Sequence, residues 1–280
     1  MRIAVAVLVL AACGDDGGAN KLPDAPSAPD APVDAGPDDD APVIDAPVTI
    51  TMLSSFAVTT PCGLAFDPAA SEVLVYSCTG AAIVRYSTTG AMLGTLTRPG
   101  EAADDVDLDV TSAGFTLGTT TIPAGTLLFT NGETGTADLY AGATTLATQF
   151  GASHVVGGAL HASRGTIFVV QDRVAGATEG NRVAEIDPVT GAVVQSWQTT
   201  GYVVNYGDID VCQSSGHVFV VSNNETTMAE FTPTGTLVAQ YPLPAGSNDG
   251  AGLAIVDGTG TAWIGAHSGT AFQLAGLPCN

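Results

Sequence analysis

The segment from Gly63 to Leu96 constrains the fold more than any other stretch. It holds four short runs of β-type residues joined by tight turns, and weaker copies of it recur towards the C-terminus. Copies open at Gly63, Gly157, Gly207 and Gly252, at spacings of 94, 50 and 45 residues, so the first gap leaves room for one more unit. That unit is the divergent Asp104–Phe150, whose first hairpin is lengthened around Thr119–Ala124. The second run recurs as Val73–Tyr76, Leu127–Phe129, Ile167–Val170, Val218–Val221 and Ala262–Ile264. Turns after the third run recur as Ser87–Gly90, Asp187–Gly191 and Thr232–Gly235, where the glycine supplies the positive φ of a tight turn. The Asp-Pro and Thr-Pro pairs in them are turn chemistry, not catalytic groups. No helical period competes with this pattern.

Four antiparallel strands every 40-odd residues describe the blade of a β-propeller, an all-β fold. Five blades are expected. The last unit ends at Asn280 without a fourth strand, while Thr49–Val58 precedes the first full unit as an unattached strand. Pairing the two removes two open edges and closes the ring. A six-bladed ring follows instead if the divergent unit hides two short blades. The run from Gly63 to Pro68, with Leu74–Ser77 and Ile83–Gly90, resembles the NHL and YncE-like propeller superfamily over about residues 48–280. That resemblance implies fold more than activity, because propellers host many functions. Some propellers of this kind are metal-dependent lactonases or lyases. Their catalytic carboxylate and histidine sets do not map onto this chain residue by residue.

The N-terminus reads as an export signal over residues 1–12: Arg2, then an apolar run from Ile3 to Ala12 too short to span a bilayer. Leu10–Cys13 resembles the lipobox of bacterial lipoproteins, which implies lipidation of Cys13 and anchoring in a membrane. Gly14, in place of aspartate after that cysteine, points to the outer membrane. Residues 13–47 then form a tether, with nine aspartates against Lys21 and Asp-Ala-Pro repeated at Asp24, Asp30, Asp40 and Asp45. Such a segment has almost nothing to bury and repels itself, so it stays extended. The folded domain is expected over 48–280.

The whole chain carries 28 acidic against 7 basic residues. That excludes nucleic acid as a partner, since phosphates need Lys and Arg. The partners expected are the membrane, through the lipid, and an envelope or extracellular protein or glycan, with the chain itself a monomer.

Beyond Cys13 there are four cysteines, an even number in an exported chain, so two disulfides are expected. The hairpin register that sets Asp67 opposite Val73 also sets Cys62 opposite Cys78, within bridging distance. Cys212 and Cys279 remain as the second pair, on one rim of adjacent blades.

First-strand starts and second-strand ends share one rim of a propeller. On it fall Asp105, Asn131, His154, Asp172, Arg173, Tyr206, Asp208, Asn223, Asp249 and His267, which make it the candidate binding face. The opposite rim, where the tether enters, carries mainly Pro, Gly, Ser and Thr turns. Asp105, Asp107 and Asp109, with Asp208 and Asp210, recur at period two and so share one strand face. If Asp107 and Asp210 line a common channel, a hard cation such as Ca²⁺ could bridge them. Solvated carboxylates are the competing reading. No Gly-x-Ser-x-Gly elbow, His-Glu-x-x-His or phosphate-binding loop occurs. The reading that results is a lipid-anchored envelope propeller that binds a ligand or protein, with a metal-dependent hydrolase or lyase as the alternative.

Overall fold

The computed structural model describes residues 48–78, 80, 82–100, 105–133, 135–151, 153–172 and 181–280. Cys13, the tether and Arg173 lie outside them. A first strand, β1 (Thr51–Ala57), stands apart from the sheet that follows it. Blade 1 is β2 (Pro61–Asp67), β3 (Glu72–Ser77), β4 (Ala82–Ser87) and β5 (Met92–Thr97). Blade 2 takes β6 (Val106–Val110), then a small hairpin of β7 (Phe115–Leu117) and β8 (Thr120–Ile122). It continues through β9 (Leu127–Asn131), β10 (Asp138–Ala141) and β11 (Thr144–Ala147). Blade 3 is β12 (Val155–His161), β13 (Thr166–Gln171), β14 (Arg182–Ile186) and β15 (Val193–Gln198). Blade 4 is β16 (Asp208–Val211), β17 (Val218–Val221), β18 (Thr227–Phe231) and β19 (Leu237–Pro242). Blade 5 has β20 (Gly250–Val256), β21 (Thr261–Ala266) and β22 (Thr270–Ala275), and β1 completes it.

The molecule is thus a five-bladed β-propeller. β1 pairs antiparallel with β22 from Thr51 opposite Ala275 to Ala57 opposite Thr270, the closure expected from the missing fourth strand. The divergent second unit is one blade, its extra length taken up by the β7–β8 hairpin, so the count is five and not six. Inner strands β2, β6, β12, β16 and β20 pack in that order around the axis, and β20 packs back on β2.

Burial follows the layers. Inner and second strands are covered on both faces by neighbouring blades, so β16 and β17 are buried throughout. Outer strands β15 and β19 face water on one side and alternate. Between blades the core is aromatic and β-branched. Phe168, Ile209, Val220 and Phe231 form one such cluster, and Leu64, Val73 and Trp263 another. Each large side chain buried there contributes roughly 1.5–3 kcal/mol. The turn glycines Gly90, Gly191 and Gly235 have φ of 86°, 71° and 89°, as their repeated turn requires.

Both expected disulfides form. Cys62–Cys78 has Cα atoms 5.0 Å apart, and Cys212–Cys279 has 5.7 Å. The β2–β3 register differs by one residue from that read in the sequence: Phe66, not Asp67, faces Val73. A bulge between Pro61 and Gly63 shifts the register once more in the same sense, so Cys78 donates to the Thr60 carbonyl and the two cysteines bridge diagonally instead of face to face.

Candidate functional site

Every inner strand of a propeller has one edge facing the axis, where alternate N–H groups find no ladder partner. In two blades a neighbouring carboxylate supplies it. Gly158 and Leu160 of β12 donate to Asp107 and Asp109 of β6, at 3.0 and 3.1 Å. Leu253 and Ile255 of β20 donate to Asp208 and Asp210 of β16, at 2.6 and 2.5 Å. The period-two spacing matters here because it puts two carboxylates on one strand face, in step with alternate N–H groups of the next strand. At three other places the strands meet through glycine instead. Gly63, Gly157 and Gly252 abut the next inner strand at Asp107, Asp208 and Leu64, where a Cβ would come within 3 Å.

The four axial carboxyls stand in two tiers. Asp107 hydrogen-bonds Asp208, and both are held well above the ordinary aspartate range, chiefly by burial. Two carboxylates in contact cannot both ionise, so this tier keeps a proton. Asp210 is raised by burial and by Asp109. Asp109 is itself pushed up to about 6 by burial, against the pull of the Leu160 and Val110 N–H groups.

Asp107 and Asp210, expected to share a channel, therefore lie in different tiers, and they are buried rather than solvated. Their oxygens do not fit a calcium ion. Asp210 commits both to the N–H groups of Val211 and Ile255, and Asp107 has one oxygen taken by Gly158 and lies beside Asp208. Calcium takes six to eight converging oxygens. Among the described residues neither aspartate joins a group of three convergent ligands.

Above the Asp109–Asp210 tier the axis widens into a funnel of about 540 Å³. Its walls come from the ends of inner strands and the turns beyond them: Phe66 and Asp67 of blade 1, Ala124 after β8, Gln213 of blade 4, Ile255 and Asp257 of blade 5. Gln213 is fixed on three sides. Its N–H donates to Asp257 at 2.8 Å, its side-chain oxygen accepts from Ala162 at 2.9 Å, and its amide donates to the Leu160 carbonyl at 2.6 Å. Burial raises the Asp257 carboxyl. At the other end of the axis Cys62, Val156, Tyr206, Gly207 and Ala251 leave no room for a water molecule.

The funnel opens on the rim read in the sequence as mainly turns. Of the polar-rim residues, the structure brings Asp105, His154 and Asp172 together. Their ligand atoms lie within 4.8 Å of one another, with His154 Nδ1 2.6 Å from Asp105. Both aspartates are buried, and His154 holds φ of 56°. Asp172 also accepts the Tyr206 N–H at 3.1 Å, and the Tyr206 ring lies 5.5 Å from that of His267. Asp249 holds the His267 and Ser268 N–H groups, each at 2.7 Å. Asn223 accepts from Asn205, and Asn131 accepts the Glu133 N–H, so both serve their own loops. Asp208 belongs to the axis, not the rim. Sequence reasoning gave no site role to Asp67, which ends β2, or to Gln213 and Asp257, which lie in turns. Asp109 stood in the period-two run read in the sequence, but the partner of Asp210 was taken to be Asp107.

No protein-family profile and no curated protein matches this sequence. Solved structures do. The PQQ-bound aldose sugar dehydrogenase of Streptomyces coelicolor superposes with a TM-score of 0.50 at 13% identity, over 81% of this chain and 98% of that one. A gluconolactonase of Xanthomonas campestris gives 0.48 at 16% identity, over 76% of this chain and 70% of that one. The virginiamycin B lyase of Staphylococcus aureus gives 0.45 at 14%, over 77% of this chain and 66% of that one, just under two thirds of its length. The likeness to the dehydrogenase is one of fold.

Proposed function

We propose that this chain is a lipid-anchored propeller of the bacterial envelope that binds a small ligand in its axial funnel. The observation that carries the reading is the funnel itself. Its volume of about 540 Å³ lies in the range of small-molecule sites, and apolar walls surround a few fixed polar groups with displaced pKa values. The signal and lipobox ending at Cys13 support the anchor, and Gly14 the outer membrane. Ala124 lies in an exposed turn at the funnel mouth, so Ala124→Trp should obstruct it without touching the core. In a thermal-shift screen of small molecules, compounds that raise the melting temperature should lose that effect in the variant. Compounds that stabilise both proteins equally would place binding outside the funnel. Cys13→Ser should release the chain from the membrane fraction, and unchanged sedimentation with membranes would count against the anchor.

One observation favours a second reading, a metal-dependent hydrolase or lyase. Asp105, His154 and Asp172 form a mixed imidazole–carboxylate set suited to zinc. Zinc should then raise the melting temperature of the wild type and not of His154→Ala. Equal responses would remove the motive for this reading.

A further inference from the structure

We infer that the ligand of the funnel is a small organic ammonium, a cationic amine on a compact apolar body. The inference rests on the funnel being a ligand site, as proposed above. Four carboxyl side chains line the cavity, Asp67, Asp109, Asp210 and Asp257, and among the described residues no Lys, Arg or His does. Below them Asp107 and Asp208 keep a proton between them, so that tier adds at most one negative charge. An anion would find no cationic partner in this lining and would hold the carboxyls in their protonated form. A cation instead favours the ionised form of carboxyls whose pKa values burial raises, which a neutral guest does not. The remaining walls, from Phe66, Val211, Ala254 and Ile255, are apolar and suit the body of the guest.

The spread of the carboxyls sets the size of the cation. Among the described residues, no three of these four bring oxygens within 4.8 Å of one another. A bare metal ion needs such convergence, whereas an ammonium group can pair with one or two carboxylates while its body covers the wall. Gln213, anchored at three points, gives a rigid wall whose backbone N–H holds Asp257 in place.

The test is calorimetric titration of the full-length chain with three compounds of one shape: 2-phenylethylammonium, 2-phenylethanol and phenylacetate. The ammonium should bind at least about tenfold more tightly than the alcohol, and phenylacetate should bind weakest. Asp109→Asn with Asp210→Asn keeps an oxygen for the Leu160 and Ile255 N–H groups and removes the charge. In that variant the preference should shrink to about twofold or less while the alcohol binds as before. Equal binding of all three to the wild type, abolished by Ala124→Trp, would overturn the charge inference and leave the funnel reading standing. Binding that Ala124→Trp does not change, or no binding at all, would overturn both. Loss of selectivity together with lost folding is distinguished by the melting curve of the double variant. If that variant does not fold, Asp257→Asn, at the exposed wall, must weaken ammonium binding relative to the alcohol, and no such change would sink the proposal.

Discussion

The inner strands of this propeller meet in two different ways around one axis. Between blades 2 and 3, and between 4 and 5, aspartates of one strand accept N–H groups of the next. Between blades 1 and 2, 3 and 4, and 5 and 1, a glycine lets two backbones approach directly. The seams therefore alternate, and because five is odd, two glycine seams flank blade 1. The clamped seams are polar and hold the axial protons, while the glycine seams are purely steric. The difference teaches that one edge problem has two solutions, which respond to different perturbations.

The largest expected effect tests whether a clamped seam stands alone. Cys212–Cys279 crosses the 4–5 seam and spans 67 residues, so replacing both cysteines by serine should cost about 4 kcal/mol by loop entropy. Cys62–Cys78 stays within blade 1 and spans 16, and its loss should cost about 3 kcal/mol. Urea denaturation of each double variant measures both. A Cys212–Cys279 loss under about 1 kcal/mol would mean the carboxylate clamp carries that seam unaided.

Next comes a steric seam. An alanine at Gly252 would put Cβ 2.6 Å from Leu64 Cβ and 2.8 Å from its backbone nitrogen. Gly252→Ala should therefore destabilise by about 3 kcal/mol, since neither strand can retreat without opening the ring. A variant that melts like the wild type would show that the seam is looser than its geometry.

Smaller again is the removal of a single clamp. Asp109→Ala leaves the Leu160 N–H without its acceptor and should cost about 1–2 kcal/mol, whereas Asp109→Asn retains an oxygen and should cost less than half as much. Equal losses would assign the effect to charge rather than to the hydrogen bond.

The same clamps also set a pH dependence. Asp107, Asp208 and Asp210 have folded pKa values above their unfolded ones, so the native state binds more protons than the unfolded chain once pH exceeds about 4. Their contribution is complete below the unfolded value and is lost as pH rises through the folded one. The melting temperature should thus be lower at about pH 8 than at about pH 5, and Asp107→Asn should flatten the slope. Below about pH 4 the sense reverses, because Glu185 and Asp187 are held below the ordinary range by their hydrogen bonds and lose charge there. A profile rising from pH 5 to 8 would contradict the raised axial values.

Much of this architecture was legible in the chain. The recurring glycines, the unattached strand before Gly63 and the truncated last unit pointed to five blades and their closure, because each is a local signal repeated in register. The divergent second unit left six open until the β7–β8 hairpin accounted for its length. The Cys62–Cys78 pair was legible from the hairpin that holds both, although the register was one residue off at Phe66 and the bulge beside Cys62 moved it by one more. The partners of the aspartates were not. Asp107 meets a backbone N–H 51 residues away in another blade, and no local period reports which neighbour faces a strand edge. The funnel was hidden too, because it is assembled from the turns of separate blades, each an ordinary turn by itself. The repeating glycines were read as turn and strand-start markers, whereas at Gly63, Gly157 and Gly252 it is the adjacent strand that excludes a side chain.

Blade 5 draws on both ends of the chain, with Thr51 facing Ala275. Translation runs from the N-terminus, so the first strand to be made is the last to find its neighbour. Until β22 has been delivered, β1 has no ladder to join and the ring has a gap. The nascent chain can complete blades 1 to 4 in succession, but the circle is sealed in one late event. That order makes a prematurely terminated product recognisable: it carries an orphan strand at its head, a ready target for quality-control proteases and holding chaperones.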